Sequence, residues 1–160
     1  MPSPKDSPAG ESHSLINLDC NADDLALVLN LINKSHCGNP QWAQLQIALE
    51  IGERYQFIHL PDLVRLRASH CITGSTAVHI FQFAGLNGFH DLARLAIASF
   101  WKSSHLIVKD YDTIPQCVCD NIPGRYGAGL IVAMAKHPRV KGFDPQDRWE
   151  RIGGSFNVGS

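Results

Sequence analysis

The chain has 160 residues, of which 44% are hydrophobic and 18% charged, and its 14 Lys and Arg against 15 Asp and Glu leave a net charge of -1. That is the profile of one ordinary globular domain, and it argues against a general nucleic-acid binder, which needs a basic surplus to displace counterions. No apolar run reaches the roughly 18 residues of a membrane span, and the opening Met1 to Ser14 has no apolar segment of the secretory kind.

Met1 to Ser14 is rich in Pro, Ser and Gly and is expected to be disordered. Leu15-Ile16-Asn17-Leu18 reads as a short edge strand or an extended lead-in. The first helix is predicted from Ala22 to Lys34. Asn21 is its N-cap, and Asp23 and Asp24 complement the dipole in the first turn. Leu25, Val28, Leu29 and Ile32 follow helical spacing and predict its buried stripe, widened by Leu27 and Leu31.

Asn39 and Pro40 read as the cap and first position of a second helix. Its stripe is Leu45, Ala48, Leu49 and Gly52, with Ile47, Ile51 and Tyr55 beside it. Ala48 and Gly52 are small enough for a neighbouring helix to come close. A third helix begins near Leu60-Pro61 and buries Leu60, Leu63, Val64, Ala68 and Cys71, which puts Arg65 and Arg67 towards water. Thr73-Gly74-Ser75 ends it and caps a fourth with the stripe Ala77, Ile80, Phe81 and Ala84. Gly85 and Gly88 bracket the next turn, and Phe89, Leu92, Ala93, Ala96 and Phe100 mark a fifth helix.

One stretch repeats. Asp62-Leu63-Val64-Arg65-Leu66 is echoed by Asp91-Leu92-Ala93-Arg94-Leu95, and both follow an aromatic residue and a histidine. This pattern predicts two stacked helical hairpins. Past Lys109 a short helix is expected to carry Cys117 and Cys119. A further helix runs from Arg125 to His137, with Tyr126, Leu130, Ala133 and His137 on one face, and stops before Pro138. Arg139 to Ser160 reads as an irregular tail whose Phe143, Trp149 and Phe156 can pack back on the body. The expected fold is therefore mainly α: a compact array of six to seven helices over residues 15–138, between a disordered start and the tail.

Several blocks resemble a known family. Asp24 to Ile32, Ala48 to Phe57 and Leu60-Pro61-Asp62-Leu63 are similar to the C-terminal part of a BTB/POZ domain. Val78 to Leu95 and Tyr126 to Pro138 are similar to the BACK-like helices that follow it, in the style of the expanded families of filamentous fungi. The resemblance implies a non-enzymatic protein–protein interaction module, an adaptor or a competitor of full-length relatives. It implies a protein partner, a BTB protein or a cullin, and no cofactor. It does not extend to the family's opening strand pair and long helix. Asn33 to Gly38 also stands where the family has an aromatic-Thr-Gly segment, which puts cullin contact in doubt. The expected binding surface is Asn33, His36, Asn39, Arg65 and Arg67.

The competing reading is a small helical metal protein or thiol enzyme. Cys117-x-Cys119 and His105 offer soft and imidazole ligands, but a structural zinc site needs a fourth ligand and is more often built from paired Cys-x2-Cys elements. His70-Cys71 and His36-Cys37 are sequence neighbours. On a helix such residues diverge by about 100°, so the imidazole is poorly placed to deprotonate the thiol. His59 and His90 hold equivalent places in the echo, as helix-start hydrogen-bonding groups, and His137 sits at a helix end where a cation favours the dipole. Gly124, Gly127 and Gly129 match no phosphate-loop spacing and read as packing positions. Arg65, Arg67, Arg94 and Lys102 form a possible basic face. The five scattered cysteines fit reduced thiols, hence a cytoplasmic or nuclear protein with neither nucleic acid nor membrane as partner.

Overall fold

Seven α-helices follow one another in the computed structural model, which describes residues 19–33, 38–103 and 121–159. They are α1 (Ala22–Ile32), α2 (Trp42–Arg54), α3 (Leu60–Ala68), α4 (Ala77–Asn87), α5 (His90–Ala98), α6 (Gly124–Lys136) and α7 (Pro145–Ser155). Short 3-10 turns at Ser69–Cys71 and Phe100–Lys102 extend α3 and α5. There is no strand among the described residues, and no described helix is long and apolar enough to cross a membrane. The Leu15 to Leu18 segment, the disordered start and the helix expected around Cys117 lie outside the described residues.

The helix starts follow local chemistry. Asn21 caps α1 by accepting from the Asp23 N–H at 3.1 Å. Asp144 caps α7 in the same way, accepting from the Gln146 N–H at 3.0 Å, with Pro145 at the first helical position. The start of α2 differs from expectation. Asn39 and Pro40 precede it, and Gln41 takes the cap position, its N–H donating to Gln44 Oε1 at 2.8 Å. The prediction followed the proline, but the reaching side chain is the glutamine three residues on.

The helices form two groups on one core. In the first, α1, α2 and α3 pack mutually; in the second, α5 lies between α4 and α7, and α6 covers α7. In α1 the buried residues are Val28 and Leu31, whereas Leu29 and Ile32 are exposed. The predicted stripe was thus rotated by less than one residue step of the helix. Five leucines and isoleucines in an eleven-residue helix allow more than one phase, and only the neighbours α2 and α3 select it. On α2 the expected close approach is present. Gly52 sits directly against the Leu60 side chain, with no room for a Cβ.

Phe81 on α4 is the hub of the second group. It meets Phe100, Tyr126 and Phe156 edge-on at 5.7, 6.2 and 5.8 Å between ring centres. Ile80, Ile97, Leu130 and Ile152 are fully buried in the same core. The groups join through Trp42, whose ring lies 5.5 Å from Phe83, which in turn lies 5.7 Å from Phe89.

The C-terminal stretch expected to be irregular is mostly a helix. α7 spans Pro145–Ser155, and Trp149, Ile152 and Phe156 are buried against α5 and α6. Its sequence is highly polar and its two glycines are poor helix formers, so propensity points away from a helix. The cap, the apolar residues at positions 149, 152 and 156, and Gly153 pressed on the Arg94 carbonyl outweigh it.

Candidate functional site: an apolar groove and two polar hollows

Three concave surfaces among the described residues have distinct chemistry. The first is a groove of about 650 Å³ where the end of α2, the start of α3 and the end of α4 meet. Gly52, Leu60 and Phe83 lie buried in it, while Phe57, Ile58 and Leu86 rise at its edges. Ile58 is 77% and Leu86 70% exposed, so these side chains are left in water beside an apolar floor. Glu53, Gln56 and Asn87 supply the polar rim. The local cause is the α2–α3 turn. Gln56 adopts a left-handed backbone with φ of 60°, and the Phe57 N–H donates to the Gly52 carbonyl at 2.7 Å. The chain turns there so sharply that Ile58 has no neighbour to cover it.

The second concavity, about 570 Å³, lies between the start of α2 and the end of α3. Asn39, Gln41, Trp42, Arg67, His70, Cys71 and Thr73 are among its walls. Its frame is a hydroxyl cluster. Thr76 Oγ1 donates to the Cys71 carbonyl at 2.6 Å and accepts from the Thr73 N–H at 2.8 Å. The Cys71 thiol donates to the Pro40 carbonyl at 3.2 Å, and burial pushes its pKa up. A thiolate nucleophile needs the opposite shift. Cys71 is a tie between two loops.

The third, about 460 Å³, lies under the α6–α7 loop and is walled by Arg139, Val140, Lys141, Phe143, Arg148 and Trp149. Arg148 is almost wholly buried, and its Nε donates to the His137 carbonyl at 2.8 Å. There the guanidinium satisfies the end of α6.

The expected binding residues separate. Asn39 and Arg67, 28 positions apart, are brought together in the second hollow. Arg65 is not: it pairs with Asp91 on α5 and lies 5.1 Å over the Phe89 ring. Asn33 is exposed at the end of α1, its N–H bound to the Leu29 carbonyl. His36 and Cys37 fall outside the described residues.

The basic face read across α3 and α5 dissolves. Arg65 is taken by Asp91, Arg94 Nε donates to the Phe156 carbonyl at 3.0 Å, and Lys102 lies 5.4 Å over the Trp101 ring. These three cations are drawn to local partners that helix phase alone does not reveal, whereas Arg67 lines the second hollow.

Two of the three histidines expected at helix ends, His90 and His137, have side-chain partners. His90 stacks on Tyr126 at 5.4 Å, and its Nδ1 is 3.4 Å from the Tyr126 hydroxyl. His137 Nε2 lies 3.1 Å from Ser155 Oγ. His59 stands at the start of α3 without a side-chain cap bond. Gly129 serves close packing, pressed on the backbone of Asn157, whereas Gly124 and Gly127 face open space. The ligand set Cys117, Cys119 and His105 lies outside the described residues. Among the described residues no three His, Cys, Asp or Glu side chains converge as metal ligands.

The apolar groove escaped the sequence reading. Its signal was present in Phe57-Ile58 between two helices, and in Leu86 off the α4 stripe, but each looked like an ordinary helix flank. The chain matches no family model, and neither a curated protein nor a solved structure is similar to it.

Proposed function

We propose that this protein is a non-enzymatic protein–protein interaction module, and that its main contact surface is the groove between α2, α3 and α4. The observation that carries this reading is the exposure of Ile58 and Leu86 on either side of a floor made by Leu60 and Phe83. Single exposed apolar residues are common on protein surfaces. An apolar cluster rimmed by polar groups is the usual mark of a contact site. Covering Ile58, Leu86 and Phe57 recovers transfer free energy of about 25 cal/mol per Å² of apolar area, and aliphatic and aromatic anchors in a groove are the form that binding hot spots take.

The resemblance of Ala48 to Phe57 and Leu60 to Leu63 to the BTB/POZ pattern supports the same class of function. It falls on the helices that build the groove. A BTB-like protein or a cullin is the partner class this resemblance suggests.

The test is capture of partners by the full chain, compared with Ile58→Asp/Leu86→Asp and with Ile131→Asp as control. Ile131 is 58% exposed on α6, away from the groove. A partner held by wild type and by the control but lost from the double variant supports the reading. The same partners on all three proteins would remove the groove from consideration.

A further inference from the structure

We infer that the hollow between the start of α2 and the end of α3 is a binding site for a carboxylate, with Arg67 as its counter-charge and the unpartnered indole N–H of Trp42 as a donor in its wall. The site is distinct from the apolar groove and does not depend on it.

Three observations lead there. First, the walls named by Asn39, Gln41, Trp42, Arg67, His70 and Thr73 include one full positive charge, one imidazole and no acid. Arg65, two residues earlier, has its aspartate, and Arg54 lies 3.6 Å from Asp19. Arg67 makes no ion pair with a described residue although it is half-buried. Second, the indole Nε1–H of Trp42 is the single buried side-chain polar atom among the described residues that lacks a hydrogen-bond partner. Trp42 is only 6% exposed. An unmet buried donor costs about 1–3 kcal/mol, and native proteins keep few of them without a reason. Third, the volume of about 570 Å³ falls in the usual range for small-ligand sites.

The chemistry selects the ligand. A guanidinium presents paired N–H donors in the geometry of a carboxylate. One arginine balances the single charge of a carboxylate, whereas a phosphate near -2 at neutral pH would remain under-neutralised. The amides of Asn39 and Gln41 and the hydroxyl of Thr73 can complete the shell. The Trp42 N–H is covered in the structure, and its resonance reports a ligand bound beside the indole. The carboxylate can belong to a free small molecule or to an acidic side chain of a protein, and the experiment separates the two.

The readout is the indole N–H resonance of Trp42 in the full-length, nitrogen-15-labelled protein, assigned with Trp42→Phe. The probes are acetate, the blocked peptide acetyl-Gly-Glu-Gly-amide, inorganic phosphate, and sodium chloride at matched ionic strength. Acetate or the glutamyl peptide moves the Trp42 resonance saturably while chloride does not, and Arg67→Gln weakens this by at least tenfold. Tighter binding of acetate indicates a free carboxylate; tighter binding of the peptide indicates an acidic side chain. If Arg67→Gln loses the cooperative melting transition, Arg67→Lys replaces it and weakens binding severalfold, because it keeps the charge but not the fork. A resonance that no carboxylate moves beyond chloride overturns the inference. So does a shift indifferent to both Arg67 variants, or a stronger response to phosphate than to either carboxylate.

Discussion

Arg65 Nη2 on α3 donates to Asp91 Oδ2 on α5 at 2.5 Å, joining two helices that carry the same short sequence pattern. Arg65 is the fourth residue of the first copy and Asp91 the first residue of the second. The echo is therefore also a contact. Asp62 and Asp91 open their helices, Val64 and Ala93 are fully buried, and Leu66 and Leu95 are exposed.

The Arg65 hydrogen bond holds the Asp91 carboxyl below its ordinary range. A depressed folded-state pKa stabilises the protein above the unfolded value, and that contribution is lost as pH falls through the folded one. Both side chains are more than one-third exposed, so solvent screens the pair and the coupling is about 0.5 kcal/mol. The expected outcome is a double-mutant cycle of that size at pH 7 with Arg65→Ala and Asp91→Asn. It shrinks in 1 M salt and is lost on acidification below the ordinary carboxylate range, as the lowered Asp91 pKa is passed. Urea melts at three pH values measure it, and a coupling that grows on acidification would contradict the pairing.

Gly153 and Gly154 on α7 are predicted to respond in opposite directions to alanine. A Cβ on Gly153 would lie 2.7 Å from the Arg94 carbonyl oxygen and 3.1 Å from the Ala98 nitrogen, both backbone atoms that cannot swing aside. Gly153→Ala is expected to cost about 1–3 kcal/mol by forcing α5 and α7 apart. Gly154 meets nothing, so Gly154→Ala should gain up to about 1 kcal/mol from helix propensity. Thermal melting of the two variants side by side decides it.

Phe81→Ala should be the most damaging core change. The ring touches three other aromatics and has no exposed surface. Removing it is expected to cost about 3–5 kcal/mol, a large part of a small domain's stability. Loss of near-ultraviolet circular dichroism at a temperature where wild type is folded would register it.

Gly88 ends α4 in the left-handed region, with φ of 75°, and its nearest neighbour is the tip of Arg125 at 3.9 Å. Space is not the constraint at this position. Gly88→Ala should cost about 1 kcal/mol through backbone strain alone, and Gly88→Asn less, because asparagine tolerates this conformation. Chemical denaturation in that order of stability is the check.

Much of the helical body was legible in the chain. The α4 and α5 stripes, Ala77, Ile80, Phe81 and Ala84, then Leu92, Ala93 and Ala96, are buried where helical spacing puts them. On α1 the same reading misplaced the stripe, because its apolar residues lie around most of the circumference and only packing against α2 and α3 selects the buried side. The candidate site was half legible. Asn39 and Arg67 could each be named as exposed polar positions, but nothing local says that a loop residue and a helix residue 28 positions apart wall one hollow. Arg65 shows the converse, since its helix phase matched a free surface cation until α5 delivered Asp91.

By itself the sequence determined where α1, α3 and α5 begin and which faces of α3, α4 and α5 are oily, because caps and periodicity act within a few residues of chain. Tertiary structure alone decided that Pro145 to Ser155 becomes a helix, that Ile58 and Leu86 flank a groove, and that Arg67 lines a hollow with no acid among its described walls. Those outcomes depend on burial and charge pairing between segments far apart in sequence, and such energies exist only once the chain has closed on itself.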